Sequence, residues 1–256
     1  MNKLLPPWHE LESKADAERH GAHEGAALNA ELDRLALNVR RSQEECWLDY
    51  RYINESRAVY AVDEQQSLRF LLRRGDESLR ITPQLADRPI VARPMMPTEL
   101  LPKERATLFL SAVLWARVAV GDQLLAEFAT QRMSDTWFGA SLHRGELCYA
   151  SQTRALLRLD NVPPSPFRAI VPVTIDNQGE DSVRLDRINV PIPHLTLYCD
   201  GHKFWTSALT ILREKQLATA KLQIDPTPLV DCTVVAPPRR PIRGGVFDRA
   251  VDLLFA

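Results

Sequence analysis

Over residues 106–128, ATLFLSAVLWARVAVGDQLLAEF, small, polar and large apolar side chains interleave on either side of a Gly121 and Asp122 turn. Pairing Val120 with Gln123 sets Val118 opposite Leu125 and Trp115 opposite Phe128, an antiparallel hairpin with one buried face. The same alternation runs from Leu35 to Ile53, where Trp47, Asp49, Arg51 and Ile53 are out of phase with Leu48, Tyr50 and Tyr52. Upstream, Leu28, Leu32, Leu35 and Val39 stand at helical spacing, but Leu35, Leu37 and Val39 also alternate. Residues 1–34 therefore read as a mostly polar arm of low order that could be helical. Further strands are expected at 58–62, 68–73 and 78–82, with RRGDES turning between the last two. The prolines of 88–102, RPIVARPMMPTELLP, cannot donate ladder hydrogen bonds and restrict that stretch to edge, extended or turn conformation.

In the second half, Val171, Val173 and Ile175 share a face, the chain turns through residues 177–180, and Val183 and Leu185 return inward. Ile188 and Val190 have the opposite parity, which requires a bulge or strand break near Asp186 and Arg187. An Asp200 and Gly201 turn would pair Cys199 with His202, Leu197 with Phe204 and Thr196 with Trp205. Residues 221–225 and 231–236 are candidate closing strands, and 246–254 has the spacing of a short terminal helix. The fold class is mainly β: two antiparallel β-sandwich, immunoglobulin-like halves, 35–132 and 133–256, behind the 1–34 arm and ending in the C-terminal helix. One continuous larger sandwich is the alternative. Trp115, Leu197 and Phe204 are expected in the core, and Trp137 and Phe138 at the contact between the halves.

Composition narrows the function classes. A 45% hydrophobic content supplies real cores, while a formal charge of −1 carries no whole-chain footprint for nucleic acid. Arg239, Arg240 and Arg243 cluster locally. They read as a solvated connector, or as membrane-surface contact beside the apolar face of 246–254, a reading that Asp248 and Asp252 weaken. The first twenty residues lack the apolar core of a signal peptide and no apolar run approaches the roughly 18 residues of a spanning helix, so a soluble, cytoplasmic protein is expected. Cys46, Cys148, Cys199 and Cys232 form no CxxC pair and read as buried cytosolic thiols.

No spacing demands chemistry. Gly139-Ala140-Ser141-Leu142-His143 is close to GxSxG, but a nucleophile elbow needs a strand before the serine and a helix after it, and here a turn and strand follow. His194, Cys199 and His202 are spaced like ligands, yet His194 should face away from the other two. His20 and His23 lack a further obvious ligand. The paired carboxylates Glu44 and Glu45, Asp63 and Glu64, Asp76 and Glu77, and Glu180 and Asp181 fall in expected turns. GxGxxG and GxxxxGK[ST] are absent. No metal and no cofactor is expected. Residues 135–149 stand out by gathering Asp135, Trp137, Phe138, His143, Arg144 and Glu146, the mixture found at a partner or ligand surface or at a glued interface.

The stretches DTWFG, GELCYASQTRA, PVTIDN and LTLYCDGHKFWTS, with LPKERATLFLSAVLWARVAVGDQLLAEF upstream, resemble an uncharacterised prokaryotic family, domain of unknown function 432. The resemblance covers most of the chain after about residue 35 and leaves the arm unmatched. It implies a soluble protein without an assigned activity, and an accessory role beside mechanosensitive channels. The leading expectation is a non-catalytic protein that binds another protein. The alternative is a hydrolase or carbohydrate-active protein at residues 135–146, with Asp135 or Glu146 as acid/base, His143 as proton shuttle or metal ligand, and Trp137 as stacking platform.

Overall fold

The computed structural model describes residues 5–8, 11–13, 27–42, 44–53, 65–73, 77–141, 143–153, 155–159, 162–214, 219–250 and 254–255. The strands in chain order are β1 (Glu12–Ser13), β2 (Ala27–Leu32), β3 (Leu35–Arg41), β4 (Glu45–Tyr52), β5 (Gln66–Leu71), β6 (Leu79–Gln84), β7 (Ile90–Pro94), β8 (Thr98–Leu100), β9 (Arg105–Val113), β10 (Trp115–Val120) and β11 (Gln123–Ala129). They continue with β12 (Ser134–Ser141), β13 (Arg144–Thr153), β14 (Arg168–Asn177), β15 (Val183–Leu185), β16 (Ile188–Val190), β17 (Leu197–Cys199), β18 (Phe204–Thr206), β19 (Ala208–Arg213), β20 (Thr219–Asp225), β21 (Thr233–Ala236) and β22 (Val246–Ala250). The protein is mainly β, and helix is confined to short 3₁₀ turns among the described residues.

By its contacts the chain divides into two compact units, one of residues 4–84 and 114–132, the other of residues 1–3, 85–113 and 133–256. The chain passes from one unit to the other between Arg132 and Met133. Residues 85–113, however, belong with the C-terminal part of the chain.

The first unit holds two four-stranded sheets, β1-β6-β10-β11 and β2-β3-β4-β5. The Leu35 to Ile53 hairpin is present, with Leu35 opposite Tyr52 and Val39 opposite Leu48. Its inward Leu35, Leu37, Val39 and Leu48 are buried. The helical reading of Leu28 and Leu32 is overturned: residues 27–32 form a strand paired with β3 through a two-residue turn in which Asp33 takes φ 58°. The period of two on the β3 side decided the conformation, because the partner strand was next to it. The β10–β11 hairpin also forms, but a bulge at Val118 and Ala119 resets its register, so Val118 faces Ala126 and Trp115 faces Ala129. Ala116 and Val118 point inward, and Trp115 is half-buried rather than central. The two sheets touch through Tyr50 against Phe128, with ring centroids 4.4 Å apart, and through the Tyr52 hydroxyl donating to Ala129 O at 3.1 Å. The almost fully buried Arg41 guanidinium donates to the carbonyl and to the carboxylate of Glu77. β5 pairs with β4, and β6 with β10 and β1, so these two are not hairpin partners. The expected strand at 58–62 lies outside the described residues.

The second unit is organised around β14, whose run AIVPV, residues 169–173, is buried on both faces. β9 lies antiparallel to it over nine residue pairs, and β18 and β19 run parallel along its other side. Pro172 falls in the gap between the β18 and β19 pairings, where a missing amide hydrogen breaks no ladder. Val183 and Leu185 face inward and are buried, as expected, but β15 pairs with β8 rather than returning along β14. The break expected at Asp186 and Arg187 does separate β15 from β16. The β17–β18 hairpin has a four-residue loop, pairing Cys199 with Phe204 and Leu197 with Thr206, instead of the two-residue turn read from Asp200 and Gly201. Asp200 is the cause. Its carboxylate accepts the amides of His202 and Lys203 at 2.7 and 2.6 Å and the Trp205 indole N–H at 2.8 Å, closing a wider loop. Leu197 and Phe204 are fully buried, as expected.

The C-terminal helix is also corrected, since residues 246–250 form β22, paired with β20 at the end of the large sheet. An unfilled strand edge outweighed the helical spacing, and the amphipathic helical face invoked for membrane contact goes with it. Arg239 Nε donates to Leu85 O at 2.7 Å. No helix among the described residues is long and apolar enough to cross a membrane. Cys46, Cys148 and Cys199 are buried and all four thiols are free; burial pushes Cys46 and Cys232 up to about 11.

Candidate functional site

The residues singled out between 135 and 146 lie on the β12–β13 hairpin, at one end of the sheet β12-β13-β7-β16. Alternation divides them between two faces. Phe138 faces inward and forms a buried cluster with Val91 and Cys148, with the Arg187 guanidinium 5.2 Å from its ring centroid. Glu146, opposite Phe138, accepts a 2.5 Å hydrogen bond from Asn189 Nδ2 on β16. Trp137 and Asp135 face outward. Trp137 stands opposite Leu147, and both remain well exposed at 41% and 44%.

The geometry of the hairpin fixes the indole. Residues 139 and 140 bulge against Gly145, which separates the Phe138–Glu146 pair from the Ser141–Arg144 pair. Gly139 takes φ 154°, and a Cβ there would collide with the Arg144 carbonyl. A Cβ on Gly145 would lie 2.5 Å from Trp137 Nε1 and 2.7 Å from Phe138 O, so this glycine makes room for the ring. Trp137 Nε1 then donates to Ser141 O at 2.9 Å. The Ser141 hydroxyl accepts the amides of His143 and Arg144 at 3.3 and 3.2 Å, which tightens the turn.

Beside this apolar pair is a charged group that the sequence pattern did not reveal. Arg88 Nη1 lies 3.3 Å from the Asp135 carboxylate and its guanidinium is 5.2 Å from the Tyr149 ring centroid. The Tyr149 hydroxyl donates to Asp87 at 2.9 Å. Burial first, then the Asp87 carboxylate, pushes the Tyr149 phenol up to about 12, so it remains a donor at any physiological pH. Asp87 and Arg88 reach this face because β7 runs parallel to β13, setting Ile90 beside Tyr149. A parallel neighbour sixty residues away leaves no local signal.

The two side chains offered as alternative acid/base groups do not share a face: Asp135 lies on the outer face with Arg88, and Glu146 on the opposite face with Asn189. His143 is exposed at the hairpin tip. Elsewhere, His194 Nδ1 is 2.5 Å from Arg240 O, while Cys199 is buried with its sulfur accepting from the Gly201 amide. No group of three metal-ligating side chains occurs among the described residues. His20 and His23 lie outside them.

These features define a sheet-rich, mainly β protein. The chain belongs to the DUF432 family, proteins of unknown function, whose sequence model matches residues 18–254. The match therefore begins within the arm rather than near residue 35. No curated protein and no solved structure is significantly similar to it.

Proposed function

We propose that this protein is a cytoplasmic, non-catalytic β protein that binds another protein through the outer face of β12 and β13. The observation that carries the reading is Trp137, an aromatic ring held by Ser141 and Gly145 yet 41% exposed, directly opposite the exposed Leu147. A ring that is already fixed loses little rotational freedom when covered, and Trp is enriched among residues that dominate binding energy. β12 ends its sheet among the described residues, so an extended partner segment can add to it as a further strand. Asp135 near the start of β12 and Arg144 at the start of β13, opposite the other end of β12, supply charges that set its direction. The accessory role beside a mechanosensitive channel, which the family resemblance implied, makes an extended channel segment the occupant of this face. Sheet-to-sheet contact in the first unit, Tyr50 on Phe128, supports the sandwich reading for that unit.

The test is photo-crosslinking in native lysate with the full chain and its Trp137→Ala and Leu147→Ala variants. The expected result is one reproducible partner that both variants lose while their melting temperatures stay within a few degrees of wild type. A partner retained equally by all three proteins, or none captured, overturns the reading.

A further inference from the structure

The outer face of the sheet β2-β3-β4-β5 in the first unit carries an open trough of about 700 Å³, within the range of small-molecule sites. Alternation decides which side chains reach it. Ala30, Leu32, Leu35, Leu37, Val39 and Leu48 are buried on the inner face, so Asn29 and Glu31, Ala36 and Asn38, and Asp49 and Arg51 project outward from β2, β3 and β4.

The register arranges these side chains in two rows. In one, Asn29 stands opposite Asn38 and Asn38 opposite Asp49; in the other, Glu31 stands opposite Ala36 and Ala36 opposite Arg51. Adjacent strands lie about 4.8 Å apart, so Glu31 and Arg51 rise from backbones roughly 10 Å apart with only the Ala36 methyl group between them. That gap is the floor of the trough.

The first row is made of residues that strands disfavour. Asn and Asp are depleted in β-structure, yet Asn29, Asn38 and Asp49 meet within three adjacent strands, where threonine or valine would suit the sheet better. Such a departure from local preference is expected at functional positions. The row is also ordered: Asn38 Nδ2 donates to Asn29 Oδ1 at 2.5 Å, and the Asp49 carboxylate accepts Ser67 Oγ at 2.5 Å and Arg40 Nη2 at 2.9 Å. Asn29 keeps its amide hydrogens to donate and Asn38 its carbonyl oxygen to accept, side by side.

The chemistry of the face selects the ligand. Its outward lining holds no large apolar side chain, which disfavours a hydrophobic molecule or a peptide anchored by its side chains. Arg40, Arg51 and Arg69 on this face are matched by Glu31, Glu45 and Asp49, so among the described residues it offers no net charge to a polyanion. What fits is a neutral molecule that donates and accepts hydrogen bonds around a compact ring.

We infer that this trough binds a neutral saccharide, one sugar ring lying over Ala36 with hydroxyls donating to Glu31, accepting from Arg51, and exchanging hydrogen bonds with Asn29 and Asn38. A glycan of more than one residue extends toward Trp47, the next outward side chain beyond Asp49, whose exposed indole donates to Glu45 Oε2 at 3.1 Å.

The test uses the full chain on an array of glucose-, galactose-, mannose- and N-acetylglucosamine-terminated glycans, with sialylated and sulfated glycans as acidic controls, and follows the tightest neutral binder by amide chemical shifts. Saturable binding to a neutral glycan is expected, with shifts at Ala36, Asn38 and Arg51. Ala36→Val fills the floor and Asn38→Thr removes the amide, and each is expected to weaken binding roughly tenfold or more. Both place a better strand former on the outer face, so melting temperatures at or above that of the wild type are expected. No saturable binding on the array, binding of the acidic glycans alone, shifts confined to another part of the chain, or affinity unchanged in either variant overturns the inference. Shift mapping on the wild-type chain decides the matter alone if the variants fail to fold.

Discussion

Asp200 shows how one side chain sets a local structure. Burial raises its carboxyl, but the Trp205 indole N–H and the amides of His202 and Lys203 outweigh this and hold it below the usual carboxylate range. A depressed folded-state value means that the carboxylate contributes stability above its unfolded value of about 3.9, and that this is lost as pH falls through the lower folded value. Asp200→Asn is therefore expected to cost about 1 kcal/mol near neutral pH, at the low end for a charge-assisted bond because the residue is partly exposed. The gap between the two proteins should close below about pH 4. Thermal unfolding from pH 7 to pH 2 measures it, and a gap that stays constant across that range would refute the account. The Asp-Gly dipeptide was legible in the sequence as a turn. Its width was not, because it depends on Trp205 returning its indole to the carboxylate.

At the scale of elements, the β12–β13 and β17–β18 hairpins differ in what their aromatic residues do. Phe204 and Leu197 are fully buried, and truncating either to alanine removes packed hydrocarbon that its rigid neighbours cannot replace. Each is expected to cost on the order of 2 to 5 kcal/mol. Trp137→Ala removes a ring that is 41% exposed, so a loss of about 1 kcal/mol is expected. Denaturant unfolding of the three variants checks the order; Trp137→Ala more damaging than Phe204→Ala would mean that the faces are inverted. The division of Trp137 from Phe138 follows from alternation along β12, whereas the sequence reading had placed both at the contact between the halves. What the sequence pattern missed was Arg88, Tyr149 and Asp87 beside Asp135, since the parallel β7–β13 pairing that assembles them is specified by neither strand by itself.

For the whole molecule, the informative fact is that residues 85–113 group with residues 133–256. β9 covers one side of β14 over nine pairs, and β7 lies between β13 and β16. A fragment of residues 133–256 would expose the edges of both β14 and β13 and lack the partners of β15 and β16. It is expected not to fold cooperatively, as read by circular dichroism melting and amide dispersion. A dispersed spectrum with a sharp transition for that fragment would show that β7, β8 and β9 are dispensable.

The sequence by itself determined the class of structure and most of the strands, because alternation over five or more residues with a turn signal is a local property. The Leu35 to Ile53 hairpin, the break at Asp186 and Arg187 and the buried Leu197 and Phe204 all follow from it. Only the tertiary structure decided which strands meet across long separations, as β9 does with β14 and β7 with β13, since backbone hydrogen bonding is indifferent to sequence distance. It also decided the outcomes at 27–32 and 246–250. There the spacing allowed a helix, but an adjacent strand edge offered partners for every other amide, and that ladder prevailed over local propensity.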